Sequence, residues 1–304
     1  MIYTVTVNPS IDYVMHIHSL QSGRTNRSDD EHYSVGGKGI NVSVILSRLG
    51  VRNQALGFAA GFVGQEIVRQ MSEMGLDTDF ILMHEGCSRI NVKLKSDAET
   101  EINAAGPAID KRYVEMLVSK LHKLSRGDTL VLAGSIPPSM PEDLYCRLLR
   151  PIAGRGIRLA VDATGKTLTD VLPFHPFVIK PNRAELEEIA GRRLDDEASL
   201  AKAAHELQRQ GAGHVLISLG AEGALLVSED GTLYRAAAFK GSVQNSVGAG
   251  DSMLAGFLAG MAQSGDLEQA LRLGSAAGSA TAFSSELARA EDITALLQRP
   301  IERL

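Results

Sequence analysis

The chain has 304 residues, 44% of them apolar, with 31 Lys and Arg against 36 Asp and Glu, a formal charge of −5. That length can bury roughly 75% of the unfolded surface in one large core. With no Pro/Ser-rich linker or charge run to divide it, a single α/β domain over 1–304 is expected, with a small appendage. The mildly acidic balance excludes sequence-independent nucleic-acid binding, so contacts to any anionic ligand must be local.

Residues 3–7 read as a strand with no basic segment before it, which argues against a signal peptide. Residues 11–18 alternate apolar and polar, an extended strand with one wet face. A helix is expected over 39–49, with Ile40, Val44, Ile45 and Leu49 inward and Gly50 as its stop. A strand over 54–59 and a helix over 64–74 follow. Residues 89–95 alternate again and can pair with 100–103. Further along, helices are expected over 112–124, 141–149, 183–190 and 200–210, and strands over 129–132, 157–161, 177–180, 214–218, 224–227 and 232–236. Met253, Leu254, Phe257, Leu258 and Met261 recur at helical spacing and define one apolar face. This alternation predicts a doubly wound, mostly parallel sheet with helices on both faces. Segments of about 10–35 and 86–105 fall outside that rhythm and read as a small β-lid, whose apolar face could serve a homodimer. No apolar run reaches the roughly 18 residues a membrane helix needs. Cys87 and Cys146 lie in no CxxC or Cys/His cluster and fit a reducing, cytoplasmic setting.

Ligands on such a sheet bind at the carboxyl ends of its strands, where Asn8, Ser135, Asp162, Asn182 and Ser218 fall. The most informative motif is Val247-Gly248-Ala249-Gly250-Asp251-Ser252. Its glycines let backbone amides approach an anion at a helix start, and Asp251 would be a proton acceptor beside it. A helix cap after a tight turn fits the same residues. Gly36-Gly37-Lys38-Gly39-Ile40-Asn41 is a second glycine-rich helix start with a cation inside it, or a turn with a surface lysine. Neither G-x-G-x-x-G nor a P-loop occurs. Asn182 and Glu185 could order the hydration shell of Mg²⁺, or form a capping box. Ser218 to Gly223 could wall a nucleotide or simply turn a hairpin. Asp12 and Arg89 suit a sugar hydroxyl and a phosphate respectively, or a solvated strand. His16 and His18 share a strand face without a third metal ligand near them in sequence.

Six segments in order carry a resemblance: Val7-Asn8-Pro9-Ser10-Ile11-Asp12, Gly36 to Val42, Arg89-Ile90-Asn91-Val92-Lys93, Ala133-Gly134-Ser135-Ile136-Pro137, Lys180-Pro181-Asn182 with Glu185, and Val247 to Ser252. Together they resemble the PfkB (ribokinase-like) sugar kinases over nearly the whole chain. The resemblance implies a ribokinase-like fold with a β-lid, ATP and Mg²⁺. The first and third segments narrow it to members that phosphorylate fructose 1-phosphate at O6, and next to those acting on tagatose 6-phosphate or fructose 6-phosphate. It implies Asp251 as base, with an anion hole made by the backbone amides of Ala249, Gly250 and Asp251 in the turn that begins at Gly248. Asp12, Gly37, Lys38 and Asn41 would hold the sugar, and Arg89, Ser135 and Arg27 its phosphate. Lys180, Asn182, Ser218, Gly220 and Gly223 would border ATP, and Asn182 with Glu185 would organise Mg²⁺ through water. Asn245 stands where many relatives carry the Asp of a D-T-x-G-A-G-D run, which puts potassium activation in question. Two readings of other classes are a sugar-phosphate-binding regulator without turnover, and a nicotinamide dehydrogenase, which lacks its glycine fingerprint.

Overall fold

In the computed structural model, which describes residues 1–237 and 239–297 in full and the backbone of 302–303, the chain opens with β1 (Ile2–Thr6). It turns out into β2 (Ser10–His16) and β3 (Asp30–Gly36), and returns through α1 (Lys38–Arg48), β4 (Asn53–Ala60), α2 (Gly61–Glu73) and β5 (Ile81–Met83). A second excursion makes β6 (Arg89–Lys95) and β7 (Thr100–Ile102). The chain then winds through α3 (Lys111–Leu121), β8 (Thr129–Ala133), α4 (Leu144–Leu149), β9 (Arg158–Asp162), α5 (Gly165–Val171) and β10 (Val178–Ile179). After α6 (Arg183–Ala190) and α7 (Glu197–Arg209) come β11 (His214–Ser218), β12 (Ala224–Val227) and β13 (Leu233–Ala236). The helices α8 (Ala249–Gln263), α9 (Leu267–Ala282) and α10 (Ala290–Leu296) follow, with β14 (Glu302–Arg303) last.

The large sheet has the order β14-β13-β12-β11-β10-β9-β8-β1-β4-β5. Its pairs are parallel from β11 to β5 and antiparallel from β11 to β14. Side-chain alternation splits each central strand between two cores. Leu130 and Leu132 of β8 point to the layer of α3, α4, α5 and α7. Val131 and Ala133 point to α1, α8 and α9. The expected doubly wound sheet with helices on both faces is therefore present. β2, β3, β6 and β7 form a separate sheet in the order β3-β2-β6-β7. Among the described residues no helix is long and apolar enough to cross a membrane.

Several expectations need correction. The 253–261 pattern is not one face of an amphipathic helix. α8 starts earlier, at Ala249, and is buried over Asp251–Gly260, because the sheet covers one side and α9 the other. The 141–149 segment is α-helical only from Leu144; Pro141 accepts from the Leu144 amide at 3.0 Å in a preceding turn. The 177–180 strand shrinks to two residues. β2 ends at His16, so His18 leaves the strand. β3, β5, α5, α9 and α10 had no individual prediction.

Candidate functional site

In chain order the strands run from β1 outward to β4 and β5, then cross back to β8 and on to β11. The order reverses between β1 and β8, and the carboxyl-end crevice at such a reversal is where open α/β sheets take ligands. A cavity of about 190 Å³ lies there, lined by Thr6, Asn8, Gly37, Lys38, Arg89, Gly134, Ser135 and Thr164, among others. It gathers four of the expected sugar and phosphate residues. Thr6 Oγ1 and Asn8 Oδ1 are buried without a hydrogen-bond partner, as a wall awaiting a polar ligand would leave them. A larger cavity of about 670 Å³ lies between the small sheet and α1 and α2 and takes only Asp12 and Asn41 of the expected residues. We place the site in the smaller one, on topology and on the convergence of charge.

That charge centres on Asp162, at the end of β9. Its buried carboxylate bridges Lys38 Nζ at 2.9 Å and Lys180 Nζ at 3.1 Å. Burial alone would raise its pKa, but Lys180 and Lys38 outweigh burial and hold it below the ordinary carboxylate range. Lys38 shows the counterpart: burial would lower it, while Asp162, Asp251 and Glu185 raise it. Lys38 thus stays cationic beside the buried carboxylate. Sequence reading marked Asp162 only as a strand-end polar residue. Its role as the anchor of two lysines depends on partners far away in sequence.

Beside this triad the first turn of α8 carries Asp251, buried, with Asn41 Nδ2 donating to its Oδ2 at 2.8 Å. Burial, and secondly the negative charge of Asp162, push its pKa up to about 6, against the pull of Lys38, Asn41 and Lys180. Gly248 has φ +77°, and a Cβ there would meet Leu287 at 2.7 Å. A Cβ on Gly250 would lie 3.1 Å from Lys180 Nζ, so the bare backbone lets the lysine sit closer, by a few tenths of an ångström, than a side chain there would. The Ala249 amide donates to Ser246 O at 3.3 Å. The Gly250 and Asp251 amides, as first-turn donors, have no intrahelical acceptor.

On the small sheet Asp12 accepts from Ser10 Oγ and Asn91 Nδ2, each at 2.8 Å, and pairs with the buried Lys93 at 3.0 Å. Asn91 and Lys93 were not singled out as site residues; their strand position two and four residues after Arg89 was the available signal. Arg89 gives its Nε to Asn8 O at 3.0 Å, which leaves the two terminal nitrogens of its fork for an anion. Arg27 is not brought in. It is exposed on the segment joining β2 to β3, beyond His16, whereas Asp12 lies four residues back along β2.

At the start of α6, Asn182 and Glu185 do form a capping box. Asn182 Oδ1 accepts from the Glu185 amide at 2.9 Å, and Glu185 Oε2 from the Asn182 amide at 2.8 Å. Glu185 Oε1 remains for water-mediated work, and the charge of Glu185 reaches Lys38. Ser218 bridges directly to Asn182 at adjacent strand ends. Gly220 and Gly223 flank a 3₁₀ turn with positive φ, and nothing lies within 4 Å of a Cβ built on Gly220. Asn245 accepts from the Val247 amide at 3.0 Å and donates to Ser285 O at 3.1 Å, an Asx turn that shapes the approach to α8.

A family profile described as "pfkB family carbohydrate kinase" matches residues 5–293. The chain is 43% identical over 297 residues to a 1-phosphofructokinase of Bacillus subtilis, covering 98% of this chain and 97% of that one. It is 39% identical over 288 residues to a D-tagatose-1-phosphate kinase of Bacillus licheniformis, covering 94% of each. Among solved structures, phosphofructokinase-2 from Escherichia coli in complex with fructose-6-phosphate superposes with a TM-score of 0.90 at 27% identity, covering 97% of each chain.

Proposed function

The chain belongs to the pfkB family of carbohydrate kinases and is a sugar-phosphate kinase, and from that premise we propose that it transfers the terminal phosphoryl group of ATP to the 6-hydroxyl of fructose 1-phosphate. The products are ADP and fructose 1,6-bisphosphate. The observation that carries the chemistry is Asp251, a buried carboxylate of raised proton affinity at a helix start, held from one side by Asn41.

Asn41 occupies Oδ2 and so aims Oδ1 at the acceptor alcohol. As the sugar O6 bonds to phosphorus and the bond to the departing ADP oxygen breaks, the hydroxyl proton passes to Asp251. A pKa near the working pH suits a group that must accept a proton and later release it. The Gly248–Asp251 turn presents main-chain donors to the transferring group, chiefly the amides of Gly250 and Asp251. Lys180, fixed by Asp162, adds a cation whose position needs no rearrangement during transfer. Asp12, Asn41, Gly37 and Lys38 hold the sugar, and Arg89 with Ser135 takes its phosphate. Ser218, Gly220 and Gly223 border the nucleotide. The remaining Glu185 oxygen beside Asn182 fits Mg²⁺ held through water, since that ion retains its hydration and prefers oxygen. When bound, Mg²⁺ neutralises phosphate charge. The small sheet covers the sugar, and its face bearing Tyr33, Ile90 and Ile102 offers a dimer contact. The free thiols Cys87 and Cys146 suit a cytoplasmic setting.

D-tagatose 1-phosphate is the second reading, favoured by the Bacillus licheniformis relative; it keeps the 1-phosphate and free 6-hydroxyl and differs in the sugar's configuration. Steady-state kcat/KM from ADP release decides. We expect fructose 1-phosphate to exceed D-tagatose 1-phosphate, tagatose 6-phosphate and fructose 6-phosphate by at least tenfold. Equal or higher values for any of these three would overturn the assignment, and no turnover with any would favour the non-catalytic regulator.

A further inference from the structure

His16 and His18, read in sequence as a pair on one strand, part company in the fold, because His16 is the last residue of β2 and His18 lies beyond it. The residues beside His16 come from β3 instead. Unbroken antiparallel register sets His16 opposite Asp30 and Val14 opposite His32. Directly opposed residues share a face, as do residues two apart on one strand. His16, Asp30 and His32 therefore project from the same side of the small sheet. The two imidazole rings lie 6.2 Å apart, inclined by 30°. One ligand atom from each of the three side chains lies within 4.8 Å of the other two. The strand ends are fixed by the Asp29 amide donating to His16 O at 2.7 Å and the Ile17 amide to Lys95 O at 3.0 Å.

We propose that His16, Asp30 and His32 form a binding site for a divalent transition metal of the zinc class, completed by solvent in the fourth position. Two neutral imidazoles and one carboxylate are the donor set that zinc takes where it keeps one position open. Bonds of ~2.0–2.1 Å in tetrahedral arrangement put ligand atoms about 3.3 Å apart. Half-exposed and exposed side chains reach that spacing by small rotations. No hydrogen bond or ion pair between these three side chains and other described residues has to be broken. Lys95 stands beside His16 on β6 and pairs with Glu99 at 3.6 Å, so its charge is offset locally. The donor set also sorts metals: Mg²⁺ prefers oxygen ligands and water, so it stays with ATP, whereas imidazole selects zinc. Bound there, the ion would bolt β2 to β3 at the free end of the small sheet.

The test is calorimetric titration of the full chain with Zn²⁺ in excess Mg²⁺, alongside thermal melting. We expect one Zn²⁺ per chain, a higher Tm with metal, and at least tenfold weaker binding in His32→Gln and in Asp30→Asn. His18→Gln should bind as the parent does, and all variants should keep the metal-free Tm, which separates ligand loss from misfolding. Absence of binding, unchanged affinity in His32→Gln and Asp30→Asn, or dependence on His18 would overturn the site.

Discussion

Asp251 concentrates the conflict between stability and chemistry. Burial, then Asp162, raises it from an ordinary 3.8 to about 6. Between those values the folded chain keeps a proton that the unfolded chain has released. Stability therefore falls as pH rises through that interval, and stays lower above it. Asp251→Asn removes the buried charge, so at pH 8 it should stabilise the fold by about 2–3 kcal/mol, the worth of roughly two pKa units. At pH 4 the gain should vanish. The same variant should lose on the order of 10²–10⁴ in kcat while still binding ATP. Melting curves at both pH values and single-turnover rates check the two halves independently. In the parent enzyme kcat should fall as pH drops through about 6, where the base becomes protonated. The acid and its glycine turn were legible in sequence because they lie in one contiguous segment. Asp162 was not, since Lys38 stands 124 residues away from it in the chain, and its charge balance exists only once β9, β10 and α1 meet.

Helix α8 shows how one element serves packing at one end and the site at the other. A Cβ on Gly260 would lie 2.4 Å from the Ala270 Cα, and one on Gly256 2.6 Å from Leu273 O, both in α9. Backbone cannot yield as a side chain does, so Gly260→Ala should cost about 1–3 kcal/mol, read as a lower Tm, with KM unchanged in the folded fraction. Gly250→Ala meets only the flexible end of Lys180 at 3.1 Å. It should melt near the parent temperature and lose kcat, because it displaces the lysine from the phosphoryl position. If both variants changed Tm alone, the role given to the α8 turn would be wrong. This close packing also explains what sequence periodicity missed. α9 reads Leu-Glu-Gln-Ala-Leu-Arg-Leu-Gly-Ser-Ala-Ala-Gly-Ser-Ala-Thr-Ala, whose small residues make a contact surface without an apolar stripe. β3 is polar and largely exposed, and becomes a strand through its pairing with β2, which no local propensity announces.

At the scale of the molecule, the large, mostly parallel sheet followed from the alternation of strands and helices, which is a long-range regularity, whereas the reversal of its order between β1 and β8 appears only in the fold. How the small sheet sits over the crevice did not, because side-chain periodicity gives the wet face of a strand but not its orientation to another sheet. The small sheet hangs from the large one by chain crossings after β1, before α1, after β5 and before α3. β7 is exposed throughout and β3 nearly so, whereas β8 is buried along its length. Opening of the small sheet should therefore need far less free energy than opening of the core, since few apolar contacts are lost. A sugar phosphate held between Asp12 on one sheet and Lys38 on the other would tie the two together. Hydrogen exchange should show β6 and β7 exchanging much faster than β8 and β9 in the free protein. Fructose 1-phosphate at 100 times its Kd should slow β6 and β7, the bound form gaining about 2.7 kcal/mol against opening that releases the ligand. Local opening of β8 and β9 that keeps the ligand bound should be unaffected. Uniform protection of both sheets would mean that the small sheet opens only with the whole fold, and no protection of β6 would place the sugar elsewhere.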